Sequence, residues 1–182
     1  MDKTALRKLY KQKRLDLTLQ EIGKLQENIY QQIYDIDFAN IKNVHLFLSM
    51  ERFKEINTQP IIDFFRAKNK NIIVSKSNFK DNSLSHFYLK ENTVLEENKY
   101  GIPEPINAEK AKEKDIDLVF VPLLISDKNN YRVGYGKGFY DRFLANCRED
   151  VKKIGLSFFK PISKIEDLNA FDIALDAVIY PK

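Results

Sequence analysis

The chain has 182 residues, 43% hydrophobic, 31% charged and 12% aromatic, with a formal net charge of +4. Thirteen Phe and nine Tyr are too much apolar surface to leave in water, which excludes disorder for the bulk of the chain. No stretch approaches the roughly 20 uninterrupted apolar residues of a membrane helix, the opening MDKTALRKLYKQKR lacks the apolar core of a secretory signal, and a charge of +4 is too mild to imply a nucleic-acid partner.

A single cysteine, Cys147, cannot close an internal disulfide and fits a reducing compartment. The expectation is one cytoplasmic domain over 1–182, a monomer or weak homodimer, with neither membrane nor nucleic acid as partner. Residues 2–34 read as two helices. Asp2 caps the first, and Thr18 with Glu21 forms a capping box that starts the second after a break at 15–17. Leu19, Ile22, Leu25 or Gln26, Ile29 and Ile33 fall on one helical face. Residues 43–49 (NVHLFLS) read as a strand, 58–68 as a helix with Pro60 in its first turn, and 71–75 as a second strand. This strand–helix–strand rhythm marks an α/β fold with a parallel core.

Residues 84–90 and 94–95 are weaker strands, antiparallel or at an edge, and Gly101 with Pro103 and Pro105 makes IPEP a rigid extended turn. LVFVPLLI (118–125) is the strongest strand, apolar on both faces as a central parallel strand is, with Pro122 at its end. A helix over 139–146 and strands at 154–158 and 177–180 complete the chain. The fold class is α/β: a three-layer αβα sandwich around a mostly parallel, partly mixed sheet, preceded by a helical pair.

Three of the six glycines, Gly134, Gly136 and Gly138, fall within RVGYGKGFYDR (132–142), between a buried strand and a helix start. Glycines there permit positive φ and let backbone N–H groups converge on an anion, and the helix adds the positive end of its dipole. Arg132, Lys137 and Arg142 add charge, and Asp141 is suited to a magnesium ion that bridges phosphates. Neither the Walker A spacing nor the dinucleotide fingerprint fits, since position 139 is Phe. The glycines alone therefore leave a plain solvated turn open as the alternative.

RVGYGKGFYDRFL, preceded by DLVFVPLLISD, resembles the signature of the 5-formyltetrahydrofolate cyclo-ligase family. KTALRKLYKQKR, LFLSM with KEINTQPII, YGIPEP and FDIALDAVIYP are similar to other family segments in the same order, so the resemblance spans nearly the whole chain. It implies ATP- and Mg²⁺-dependent conversion of 5-formyltetrahydrofolate to 5,10-methenyltetrahydrofolate, with ADP and phosphate released. It implies ATP contacts at Lys3, Thr4, Arg7, Arg132, Gly134, Tyr135, Gly136, Lys137, Gly138, Phe139 and Tyr140, with Lys137 and Arg132 catalytic. It further implies a folate pocket of Leu48, Met50, Glu55, Tyr135 and Phe139, with Glu55 accepting from pterin N–H groups, and magnesium at Asp141 and Asp172. Ser75 stands where the family frequently carries proline, and Phe171 where many members carry His or Asn. His45, His86 and Cys147 read as structural.

Two rivals remain. Fold alone does not fix function, so a small kinase on a similar scaffold stays open on architecture; Glu55 discriminates, since a kinase has no need of a pterin-binding carboxylate there. An RNA-binding module is prompted by the basic first helix and the aromatics, yet the aromatics sit in apolar runs and no RNP-like motif accompanies them.

Overall fold

Sequence and capping chemistry set the first two helices. A computed structural model describes residues 1–182. Helix α1 (Lys3–Asp16) is capped by the Asp2 carboxylate, which accepts from the Ala5 N–H. Helix α2 (Leu19–Tyr34) opens on the Thr18–Glu21 capping box. Ile22, Ile29 and Ile33 bury the inner stripe of α2, but Leu19 is 83% exposed. It occupies the first position after the cap, where the helix has not yet reached the sheet, so the stripe begins one turn later than the spacing suggested.

One seven-stranded sheet runs through the centre in the order β11-β10-β7-β1-β2-β3-β6. Its strands are β1 (Asn43–His45), β2 (Asn71–Asn78), β3 (Ser83–Tyr88), β6 (Lys110–Ala111), β7 (Leu118–Pro122), β10 (Lys152–Leu156) and β11 (Ala177–Ile179). The five strands from β11 to β2 are mutually parallel, whereas β3 and β6 join antiparallel. Helix α3 (Gln59–Ala67), with proline in its first turn, links β1 to β2.

Apolar residues of β7 point to both faces. Leu118 and Phe120 join α2 and α3 in one core, while Val119 and Val121 join helix α4 (Phe139–Asn146) in another. These two cores are the two interfaces of an αβα sandwich. Phe120 and Phe65 are fully buried, with ring centroids 5.8 Å apart.

Strand β1 ends at His45, short of the 43–49 reading, and β10 lies two residues earlier than 154–158; two further elements differ in kind. The 118–125 run is not one strand: β7 stops at Pro122, and Ile125–Ser126 (β8) pairs instead with Arg132–Val133 (β9) in a separate ribbon. Proline has no N–H to give the ladder, so the chain leaves the sheet there. IPEP is also more than a turn. Pro103–Ile106 forms β5, antiparallel to β4 (Val94–Glu97), in the register Leu95↔Pro105 and Glu97↔Pro103. Prolines two residues apart put both missing donors on the side away from β4, so the pairing loses nothing. The turn itself lies at 98–101.

Beneath the sheet's cleft end, the Ser75 hydroxyl sits between two buried imidazoles, 2.7 Å from His45 Nε2 and 2.9 Å from His86 Nδ1. The serine in place of the frequent proline therefore joins two strands that flank β2. Burial holds His45 well below the ordinary histidine value, and His86 beside it adds to the effect. Burial likewise brings His86 down to about 4, with Glu113 opposing.

Two stability measurements follow. Phe120→Ala should cost about 3–5 kcal/mol in urea unfolding, because the ring leaves a cavity that the surrounding strands cannot close. The histidines set a pH window. Both bind protons more weakly folded than unfolded, so their stabilisation is complete above pH 6.5 and falls as pH drops below that value. For His86 the fall ends near pH 4. Unfolding free energy should drop by about 2 kcal/mol from this residue between pH 7 and pH 4.5, at about 1.4 kcal/mol per pKa unit. The slope should shrink in His86→Leu.

Candidate active site

In an open α/β sheet, a crevice forms at the carboxyl ends of strands where the strand order reverses. Here the chain steps from β1 to β2 on one side and later places β7 on the other, so the reversal lies between β1 and β7. His45, Phe47 and Leu48 at the end of β1 and Pro122 at the end of β7 line a cleft of about 360 Å³.

Two loops complete it. The 48–55 loop supplies Leu48, Met50 and Glu55, and residues 134–141 supply the glycine cluster with Tyr135, Lys137, Phe139, Tyr140 and Asp141. Phe79, Tyr100 and Phe139 form an aromatic wall, with Phe79 centroids 4.4 Å from Tyr100 and 5.4 Å from Phe139.

The glycine loop is left-handed at Gly136 (φ +88°) and Gly138 (φ +72°), whereas Gly134 has an ordinary φ. Gly138 is the N-cap of α4 and carries no side chain to cap it. No acceptor within the protein takes a backbone N–H from Gly134 to Asp141. This row of unpaired donors at a helix start is the arrangement that holds an anion.

Cations stand behind it. Arg7 Nε donates to the Gly134 carbonyl at 2.9 Å, and Arg142 Nη1 donates to the Lys137 carbonyl at 3.1 Å. Lys137 itself is exposed at the cleft. Arg132 is nearly buried, with its side chain 7% exposed, and its fork is committed: Nη2 to Asp141 Oδ1 at 2.8 Å, Nη1 to the Ile173 carbonyl at 2.7 Å.

The segment that carries Asp172 is tied to Asp141 through the next residue, since the Ile173 N–H donates to Asp141 Oδ1 at 3.2 Å. Asp172 uses one oxygen, Oδ2, for the Asn169 N–H and the Lys3 ammonium. Lys3, Thr4 and Asp172 do not line the cleft. Lys3 and Asp172 form a half-buried ion pair at the start of α1, and Thr4 is exposed there. No three Asp, Glu, His or Cys side chains gather as a ready metal cage.

On the folate-loop side, Glu55 is 8% exposed. Its Oε2 accepts from the Met50 N–H at 2.8 Å and its Oε1 from the Tyr135 hydroxyl at 2.6 Å. Burial pushes the Glu55 carboxyl up, against the pull of these two donors and of Arg14 and Arg52. Burial, and then the Glu55 charge, push the Tyr135 phenol well above its ordinary value, so it stays a donor.

Two further residues shape the site, one of them, Arg14, on the basic face that Lys3 and Arg7 share in sequence. Arg14, 5% exposed, donates to the Tyr135 hydroxyl. Asp127, fully buried, accepts from the N–H groups of Asn129, Tyr131 and Ile165 and thereby sets the turn that delivers Arg132. An Asp-Lys-Asn-Asn turn is visible in sequence, but the third acceptor contact is 38 residues away.

A side chain at Gly136 would be strained and would displace the Arg7 guanidinium. A Cβ there would lie 2.9 Å from Arg7 Cζ in a left-handed conformation. Gly136→Ala should lower ATP affinity at least tenfold by calorimetry and cost about 1–3 kcal/mol of stability, the usual cost of a strained backbone position.

The profile of the 5-formyltetrahydrofolate cyclo-ligase family matches residues 1–181. A 5-formyltetrahydrofolate cyclo-ligase of Mycoplasma genitalium is 30% identical over 188 residues, covering 98% of each chain. Among solved structures, the 5,10-methenyltetrahydrofolate synthetase of Aquifex aeolicus superposes with a TM-score of 0.84 at 28% identity, over 100% of this chain and 91% of that one. That of Mycoplasma pneumoniae gives 0.78 at 25% identity, over 98% of both. With its fold and nearly its full length matched, the chain belongs to the 5-formyltetrahydrofolate cyclo-ligase family.

Proposed function

We propose that residues 1–182 act as one catalytic unit, a cytoplasmic monomer or weak homodimer, that converts 5-formyltetrahydrofolate to 5,10-methenyltetrahydrofolate at the expense of ATP. The observation that carries the nucleotide half is the row of unpaired N–H groups from Gly134 to Asp141, backed by Arg7 and Arg142. The cleft beside it, apolar with one buried carboxylate, suits a flat heterocycle with N–H donors.

The chemistry asks for an activated formyl oxygen, because an amide oxygen is a poor leaving group. That oxygen attacks the γ-phosphorus, the bond to the β-phosphate bridge breaks, and ADP leaves. The second folate nitrogen then attacks the formyl carbon and loses its proton, and the C–O bond breaks to release phosphate. Such a transfer requires positioning and charge neutralisation, with no covalent intermediate on the enzyme.

Each residue has a place in this scheme. The Gly134, Gly136 and Gly138 loop holds the phosphates, Lys137 neutralises charge that builds on the transferred group, and Arg132 orients Asp141. Lys3, Thr4 and Arg7 approach the nucleotide from the first turns of α1. Leu48, Met50, Phe139 and Tyr140 wall the pterin, and Glu55 accepts its N–H groups.

The donor set suits magnesium, which takes one or two carboxylates and completes its shell with phosphate oxygens. Asp141 leaves Oδ2 uncommitted at the cleft and Asp172 leaves Oδ1 uncommitted. Asp141, in the cleft lining, would hold the ion, and Asp172, outside that lining and paired with Lys3, would be its second carboxylate; the ion would supply charge neutralisation to the phosphates.

The test is the rise of methenyl absorbance from 5-formyltetrahydrofolate, with and without MgATP. The signal should require both ATP and Mg²⁺ and fall at least a hundredfold in Asp141→Ala. Glu55→Gln should weaken folate binding about tenfold, consistent with the loss of a charge-assisted hydrogen bond, and leave ATP binding near wild type. Absence of product from a folded, ATP-binding protein would return the substrate to the kinase-like alternative.

A further inference from the structure

The two loops that close the cleft come from distant parts of the chain and meet at one phenol. Tyr135 belongs to the glycine loop and Glu55 to the loop after β1, 80 residues away, and a 2.6 Å hydrogen bond from the Tyr135 hydroxyl to Glu55 Oε1 joins them. Helix α1 grips the same stretch of glycine loop at both residues, with Arg7 on the Gly134 carbonyl and Arg14 on the Tyr135 oxygen.

Arg14 and Glu55 are opposite charges, 5% and 8% exposed. They do not pair directly. The phenol stands between them, accepting from the guanidinium and donating to the carboxylate. An ion pair spaced this way fixes the direction of the carboxylate: Oε2 on the Met50 N–H, Oε1 on the phenol. Each carboxylate oxygen accepts more than one hydrogen bond, so Glu55 keeps lone pairs for a ligand. Without the hydroxyl, two buried opposite charges face each other with nothing between them. They are then drawn into a direct pair that turns the carboxylate out of its setting.

We propose that Tyr135 is a positioning residue whose hydroxyl couples the two substrate sites. A triphosphate that orders the glycine loop fixes the phenol, and the phenol fixes Glu55 in the orientation that receives the pterin. Coupling of this kind is reciprocal, so folate tightens the nucleotide by the same factor. The proposal rests on the folate reading above. It adds that the Tyr135 ring and the Tyr135 hydroxyl do different work, the ring walling the cleft beside Phe53, 5.8 Å away, and the hydroxyl transmitting.

The experiment is equilibrium binding of 5-formyltetrahydrofolate by calorimetry, with and without Mg²⁺ and a non-hydrolysable ATP analogue, in wild type and in Tyr135→Phe. In wild type the analogue should tighten folate binding about tenfold, a usual size for coupled sites. In Tyr135→Phe that ratio should fall to near one, whatever the affinity for either ligand alone. A merely structural role would weaken both ligands and leave their ratio intact.

An unchanged ratio in Tyr135→Phe, or a ratio of one in wild type, overturns the coupling and leaves the folate reading standing. A wild-type protein that takes the analogue but no 5-formyltetrahydrofolate overturns the folate reading and the coupling with it. Should Tyr135→Phe not fold, Arg14→Lys, which withdraws the guanidinium fork from the phenol, carries the same expectation and the same refutation.

Discussion

Pro122 ends the central strand, and the cleft depends on that missing N–H. Strand β7 lies between β1 and β10 in a parallel sheet whose interior is apolar on both faces. A residue able to donate at 122 would let the ladder run on through the apolar Leu123–Ile125. Instead the chain lifts off, and Ile125–Ser126 finds a new partner in Arg132–Val133. That small ribbon returns the chain to the carboxyl edge of the sheet with Arg132 facing inward. The turn between its strands is held by the buried Asp127 carboxylate on three backbone N–H groups. Everything chemical in 132–141 is thus delivered to the reversal point between β1 and β7 by a proline and a buried aspartate that touch no phosphate.

Two buried arginines then stabilise the loops in different ways. Arg132 meets its carboxylate directly and adds the Ile173 carbonyl, so Asp141 and the 172–173 segment move as one piece. Arg14 reaches its carboxylate only through a phenol. A direct buried pair returns much of its desolvation cost in local Coulomb energy. A spaced pair returns less, but it ties together three segments where a direct pair would tie two. The first arrangement suits a carboxylate held in one place, the second a carboxylate whose orientation depends on another loop.

Much of the fold was legible because its determinants are local. The Thr18–Glu21 box, Pro60, the two-faced apolar run read over 118–125 and the glycine before α4 each act within a turn or a strand length; the helices start within a residue of those signals, and the strand begins at Leu118 but stops at Pro122. Less was legible where a partner outside the segment decides. Val94–Glu97 and the IPEP segment become strands only because they pair with each other, and Leu19 stays exposed only because α2 meets the sheet one turn later. The site divides in the same way. The glycine loop could be read from one segment, but the Asp141–Ile173 link, the Lys3–Asp172 pair and the Arg14–Tyr135–Glu55 chain join residues 32 to 169 apart. The family resemblance supplied Lys3, Glu55, Tyr135, Asp141 and Asp172 of that set without its wiring. It grouped Lys3 and Asp172 with the ligands, whereas the structure also pairs them with each other.

The wiring gives the glycines a second reason to be there. In a trans peptide the carbonyl and the following N–H point in opposite directions. Arg7 draws the Gly134 carbonyl toward α1, which sends the Tyr135 N–H the other way, and Arg142 does the same to the Lys137 carbonyl and the Gly138 N–H. For the guanidinium groups to reach those carbonyls they must pass close under the next glycines, and a Cβ at Gly136 or Gly138 would lie 2.9 Å from Arg7 or Arg142. Positive φ alone would admit Asn, as it does at Asn69, Asn82, Asn107 and Asn130 elsewhere in the chain. The close passage of a cation behind the loop does not. Glycine at these positions therefore serves the backbone conformation and the orientation of its donors together, and a helix start that would otherwise offer a loose set of N–H groups offers an oriented one.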